Sequence, residues 1–210
     1  AREKVLGVNY IHTLWSVNDL GSVLRDKGEY EEAEPFLRRV LSEKRKILTE
    51  QDTDLVRSVH RLGLLLLEKR DLDGAVTLLE EAHTKRSNLL GDMNEDTLSS
   101  AKALGHALCL HGDFERGLIY LKQALEGYKT TLPESHPVRT SLILLLAGVV
   151  ADLDGHRKGL AMLNEYVSNL TSPDIFSDLS LARSACLEGN LPGARLMVNY
   201  YLKLYPEEKE

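Results

Sequence analysis

Val17-Asn18-Asp19-Leu20-Gly21-Ser22-Val23-Leu24 decides the fold of this 210-residue chain. Its Leu-Gly pair returns at Leu62-Gly63 and Leu104-Gly105, each 42 residues after the last, and Leu146-Ala147 keeps the register. Three residues on, the register holds Leu24, Leu66, Leu108 and Val150. Further along it holds the small residues Ala33, Ala75, Gly117 and Gly159, then Leu37, Leu79, Leu121 and Leu163. A period of about 20–50 residues marks an array of stacked supersecondary units, each too small to bury its own apolar face.

Each unit reads as two helices. Val17, Leu20, Gly21 and Leu24 share one face at helical spacing and are expected to be buried. A break follows at Lys27-Gly28-Glu29, and a second helix buries Ala33, Leu37, Val40 and Leu41. The break recurs at Lys69-Arg70-Asp71, His111-Gly112-Asp113 and Leu153-Asp154-Gly155. Glycine there suits the left-handed residue that ends a helix, and the acid after it can cap the next one. The small columns, Gly21 with Ala33 and Gly63 with Ala75, are read as the points where the two helices of a unit cross closely. The expected fold is all-α, a right-handed solenoid of about five antiparallel helix pairs forming one domain over 1–210. The units fall roughly at 10–51, 52–93, 94–135, 136–172 and 173–206. Arg2-Glu3-Lys4-Val5-Leu6 lies in the register of Lys44-Arg45-Lys46-Ile47-Leu48, so residues 1–9 read as the tail of a preceding second helix, and the chain as a fragment of a larger protein.

The stretch Gly28-Glu29-Tyr30-Glu31-Glu32-Ala33-Glu34-Pro35-Phe36-Leu37-Arg38-Arg39-Val40-Leu41 resembles the second helix of a tetratricopeptide repeat. The 42-residue version is similar to that of kinesin light chains and of repeat arrays on some fungal nucleotide-binding receptors. Thr13-Leu14, Asp96-Thr97-Leu98 and Ser135-His136-Pro137-Val138 add to the resemblance. It implies a superhelix whose first helices (helix A of each unit) line a concave groove for an extended or helical peptide. Trp15, Asn18, Ser22 and Arg25 of unit one, Arg57 and His60 of unit two, and Ser99, Lys102 and His106 of unit three would then face the ligand. Peptide-binding members often repeat an asparagine at the Asn18 position; here the column runs Asn18, His60, Lys102, Leu144, Leu179. Arg57, His60 and Lys102 read as a basic strip suited to acidic residues of a peptide.

The helix Ser141–Ala151 is apolar all round, which demands burial all round. Leu144 and Gly148 are therefore read as an apolar interface, for a ligand, for homo-oligomers through units four and five, or for the chain's own fifth unit through tight curvature. The body carries a net charge of −6, a poor match for nucleic acid. No apolar run approaches the roughly 20 residues of a membrane span. Cys109 and Cys186 stand far apart without a CxxC, as free thiols in the cytoplasm do. Nothing in the spacing of histidines, cysteines or glycines indicates a metal, a cofactor or a catalytic set. The function expected is a non-enzymatic scaffold for a protein or peptide partner. The alternatives are a self-association module and the sensor region of a nucleotide-binding signalling receptor.

Overall fold

A computed structural model describes residues 7–133 and 136–168; the fifth unit expected at 173–206 and most of the expected tail at 1–9 lie outside the described residues. The described chain is all-α. Its helices are α1 (Gly7–Asp26), α2 (Tyr30–Ile47), α3 (Thr53–Glu68), α4 (Leu72–Leu90), α5 (Glu95–His111), α6 (Phe114–Thr131), α7 (Pro137–Asp154) and α8 (His156–Ser168). Two compact units are formed, residues 1–111 and 112–210.

In the first unit α1 packs on α2, α2 on α3, α3 on α4 and α4 on α5, while α1 touches α3 and α3 touches α5. The odd-numbered helices thus form one layer, the A layer, and α2 and α4 form the other. Within each pair the glycine column sets the distance. A Cβ built on Gly21 would lie 2.7 Å from Leu37 Cδ2, and one on Gly63 would lie 2.9 Å from Leu79 Cγ. Ala33, Ala75, Leu37 and Leu79 are almost wholly buried at these crossings. In the second unit α7 packs on α6 and α8, and a Cβ on Gly159 would come within 2.6 Å of the Ala147 carbonyl oxygen.

Successive pairs are joined by a device that sequence periodicity did not reveal. Lys44, near the end of α2, is buried, and its Nζ donates to the Ser58 hydroxyl at 3.0 Å and the Asp54 carbonyl at 3.2 Å on α3. Arg86, 42 residues on, is also buried, and its Nη1 donates to the Ser100 hydroxyl at 2.7 Å and the Asp96 carbonyl at 2.8 Å on α5. Both serines bond back to the same carbonyls, four residues earlier, at 3.1 Å. A cation taken out of water is costly unless its donors are satisfied, and each clamp satisfies two. Burial pushes the Lys44 ammonium below its usual range, with the neighbouring Asp54 pulling the other way.

Helix starts repeat as well. Asp52, Asn94 and His136 stand one period apart, and their side chains accept the backbone N–H groups of Asp54, Asp96 and Val138. At the inner turns Asp71 and Asp113 accept from Gly74 and Arg116, while Glu29 makes no side-chain cap. Gly28 and Gly112 take φ of 83° and 98° in those turns, and Arg70 takes 64° at the equivalent place.

Leu20 does not follow the expected burial. It is 46% exposed, whereas Leu62 is 2% exposed and Leu104 fully buried. The reason is positional: α2 covers Leu62 and α4 covers the start of the next pair, but no described helix precedes α1.

Two stability changes test this packing. Ala75→Leu places a larger side chain at a fully buried crossing and should lower the unfolding free energy by about 1–3 kcal/mol in urea titrations. Arg70→Gly relieves a left-handed conformation that costs a residue with a Cβ about 1–2 kcal/mol. The greater freedom of glycine in the unfolded chain returns part of that, so a gain of about 0.5–1 kcal/mol is expected in the same titration.

Candidate functional site

The A layer of the first unit has an open face set by helical geometry. Along α3, Asp54, Arg57, Arg61, Leu64 and Glu68 retain solvent contact, while the residues between them are buried or capped by α2, α4 and α5. One period either side, the same rows hold Trp15 and Ser99 beside Arg57, Asp19 beside Arg61, and Ser22 and His106 beside Leu64.

Of the expected ligand-facing residues, the structure links Trp15 to Arg57 through Asp54, and the 42-residue spacing puts Ser99 in their row and Ser22 and His106 in a neighbouring one. Trp15 is 40% exposed and meets His12 edge to face, with ring centroids 4.7 Å apart. Its indole N–H donates to the Asp54 carboxylate, which also pairs with Arg57 at 2.7 Å. Asp54 therefore ties the tryptophan of α1 to the arginine of α3. A cavity of about 240 Å³ lies beside Arg57, lined among others by Thr53, Asn94 and Asp96. Arg25 pairs with Asp26 at 2.6 Å. Ser22 spends its hydroxyl on the Asn18 carbonyl at 3.1 Å, within its own helix.

In the Asn18, His60, Lys102 column the first two residues are turned away from this face. Asn18 is 3% and His60 6% exposed, and Lys102 is half-buried. His60 Nδ1 lies 3.4 Å from the Ser100 hydroxyl, so its ring fills the seam between α3 and α5. Burial, helped by Arg86, Arg25 and Arg61, lowers its pKa to about 3. The imidazole is neutral at physiological pH, and the expected basic strip loses it. His106 is lowered to about 4 by burial and by Lys102 and Arg70. Its Nε2 is buried with no hydrogen-bond partner. The cation at Arg57 is matched by Asp54, so the face carries paired charge rather than bare positive charge.

Sequence reading missed Asp54, Asp19 and Arg61. Arg61 Nη1 meets Asp19 at 2.7 Å across the A layer. Their exact one-period separation with opposite charge was the available signal. In the second unit Leu144 is 2% exposed and Gly148 is buried. Cys109 is buried and is not in a disulfide. Among the described residues no helix is long and apolar enough to cross a membrane.

Comparison with known proteins agrees with this architecture. Two family models, both described as tetratricopeptide repeat, match residues 13–51 and 54–130. A crystal structure of nearly identical TPR-like repeats from a candidate kinesin light chain of Podosopora anserina is similar to the chain. It superposes with a TM-score of 0.73 at 21% identity, covering 94% of this chain and 97% of that one. BtubC (BKLC) from P. vanneervenii superposes at 0.65 with 18% identity, over 94% of this chain and 80% of that one. The apo form of RapI gives 0.65 at 13% identity, over 93% of this chain and 54% of that one. No functionally characterised relative is recovered by sequence comparison.

The buried histidines make stability depend on pH. An unfolded histidine titrates near 6.5, whereas folded His60 titrates at about 3. Below pH 6.5 the unfolded chain binds a proton that the native state refuses. The stability that His60 contributes is therefore complete above about pH 6.5 and is lost as pH falls toward 3. The slope is about 1.4 kcal/mol per pH unit for each such group. His60→Asn installs the residue that the scaffold already buries at Asn18. Thermal melts between pH 7 and pH 4.5 should show a shallower loss of Tm in this variant than in the parent chain. Parallel slopes would contradict the burial of a neutral imidazole.

Proposed function

Because the chain belongs to the tetratricopeptide repeat family, with kinesin-light-chain-like repeats, we propose that it holds a peptide segment of a partner protein against the open face of α1, α3 and α5. Repeats of this kind mediate protein–protein interaction. The observation that carries the finer reading is the row Trp15, Arg57, Ser99: an exposed tryptophan, a cation and a hydroxyl on three adjacent helices of one layer. Aromatic and arginine side chains dominate binding energy at interfaces. Arg57 and Arg61 are held by Asp54 and Asp19 on the protein surface. A carboxylate of the ligand can take over either guanidinium with equivalent geometry, and such charge-assisted bonds are about twice as strong as neutral ones. The ligand class is accordingly a segment with acidic residues next to an apolar one that packs on Trp15. Its role is binding rather than catalysis, and the protein works in the cytoplasm.

Affinity capture followed by mass spectrometry identifies the partner, and titration calorimetry then tests the row. Trp15→Ala should weaken binding by roughly tenfold or more, as hot-spot aromatics do. Arg57→Ala should weaken it and flatten its dependence on salt, because screening acts on the exposed pair it removes. Folding of each variant is checked by circular dichroism. Unchanged affinity in both variants moves the site off this face.

A further inference from the structure

The second half of α2 is strongly basic in a chain of net charge −6: Arg38, Arg39, Lys44, Arg45 and Lys46 fall within nine residues, with Glu43 the one acid among them. Cations in the last turn of a helix suit its dipole, and Lys44 is spent on the clamp to α3. Neither reason applies to Arg38. A cavity of about 390 Å³ opens on this side of α2, lined by Arg38, Leu41, Ser42, Arg45 and Lys46 together with Leu62 of α3. The α2 positions are spaced i, i+3, i+4, i+7 and i+8, which is one face of one helix. Leu41 and Leu62, 5% and 2% exposed, form an apolar floor, and the three cations and the Ser42 hydroxyl stand exposed around it. Among the described residues no carboxylate lines the cavity. One period on, the same α2 places hold Glu80, His83, Thr84, Ser87 and Asn88, so stacking does not call for the cations. The carboxylates that pair with the two arginines are each held twice. Glu34 accepts from Arg38 Nε at 2.6 Å and from Lys69 at 2.6 Å. Glu81 accepts from Arg45 Nη2 at 3.0 Å and from Lys85 at 2.8 Å. Lys69 also meets Glu31, Lys85 also meets Glu50, and Lys46 pairs with Glu43 at 2.7 Å. Either arginine can therefore turn to a ligand while its carboxylate keeps a lysine. Lys69, more than Arg38, holds the Glu34 carboxyl below its usual range.

We propose that this cavity binds a phosphate monoester, with Arg38, Arg45, Lys46 and Ser42 holding the phosphate and Leu41 and Leu62 receiving the apolar part of its carrier. Two guanidiniums, an ammonium and a hydroxyl supply more donors and more charge than one carboxylate can use. A phosphate monoester carries about −1.5 to −2 charge and three strong acceptor oxygens, and arginine binds it through paired N–H groups. Around an acidic body such an anion concentrates only where cations gather. The volume falls within the roughly 300–1,000 Å³ of small-ligand sites, which leaves room for a carrier beside the phosphate. A phosphorylated side chain and a small organic phosphate present this same chemistry. The cavity shares no residue with the Trp15, Arg57, Ser99 row, so the proposal stands apart from the peptide reading of that face.

Phenyl phosphate is titrated into the isotope-labelled full chain at constant ionic strength and followed by amide chemical shifts, with benzoate as the singly charged control. Saturable shifts should centre on residues 38–46 and Leu62, and phenyl phosphate should bind roughly tenfold more tightly than benzoate, the gain expected from additional charge-assisted bonds. Arg38→Gln combined with Arg45→Gln should weaken phenyl phosphate by roughly tenfold or more. Ser42→Asp, at an exposed position on the cavity wall, should abolish binding. Arg39→Gln removes an exposed cation of the same helix that does not line the cavity, and should leave the affinity unchanged. Circular dichroism checks the fold of each variant. A phosphoserine peptide and adenosine monophosphate, compared at the same salt, then assign the source of the phosphate to whichever binds more tightly. Absence of saturable shifts, equal affinities for phenyl phosphate and benzoate, or shifts centred on other helices overturn the proposal. So does an equal loss in Arg39→Gln and in the double variant, which would reduce the effect to general charge.

Discussion

The close crossing of the two helices within a pair is the constraint on which the structure depends. At Gly63 the missing Cβ lets Leu79 enter the space a side chain would occupy, and Ala75 completes the contact from the other helix. Burying a leucine contributes about 1.5–3 kcal/mol, but only if the neighbouring backbone can approach. The small columns therefore determine where the large ones can pack. Once the pair has closed, its two outer flanks are fixed, and each must be covered by the next helix. The same logic holds at Gly159, where the nearest neighbour is the Ala147 carbonyl and cannot move as a leucine tip can.

Between pairs the chain uses a polar contact where an apolar one would serve. Lys44 and Arg86 are buried cations, each satisfied by a serine and a carbonyl of the following helix. One period later the same places hold Tyr128 and Leu142, both buried. The fold thus contains both solutions, and the apolar one shows that the clamp is not required for stacking as such. Replacing buried ionic groups by well-packed apolar ones is often neutral or stabilising. What a clamp adds is discrimination: a helix that presents an apolar or acidic side chain to Ser58 or Ser100 leaves acceptors unsatisfied. The exposed ion pairs that also join pairs, such as Arg45 with Glu81, contribute at most about 1 kcal/mol each and cannot set the register.

The repeat, the helix pairs and the turns were legible because each rests on a periodic property of residue size or of glycine. The exceptions have local causes. Leu20 follows the apolar column yet is exposed, since burial depends on a neighbour and not on the residue. Arg70 sits in a left-handed turn where Gly28 and Gly112 stand in the neighbouring units, so the repeat register and not a glycine marked that break. His136 caps α7 through its ring nitrogen, a role that Asp52 and Asn94 make obvious only by position.

The candidate site was less legible, and the error was one of rotation. Sequence spacing shows that Trp15, Asn18, Ser22 and Arg25 share a side of α1, but a helix side spans well over 100° of arc. Which part of that arc faces solvent is decided by how far the next A-layer helix overlaps it. In this protein the overlap covers the Asn18 and His60 rows and leaves the Trp15 and Arg61 rows open. A single period of hydrophobicity cannot encode that overlap, because a polar residue at a seam and one at a surface look alike. The charge pattern can: Asp19 and Arg61 pair across one period, whereas His60 is buried and neutral beside Ser100. Opposite charges one period apart mark a surface row, and uncharged hydrogen-bonding residues one period apart mark a seam.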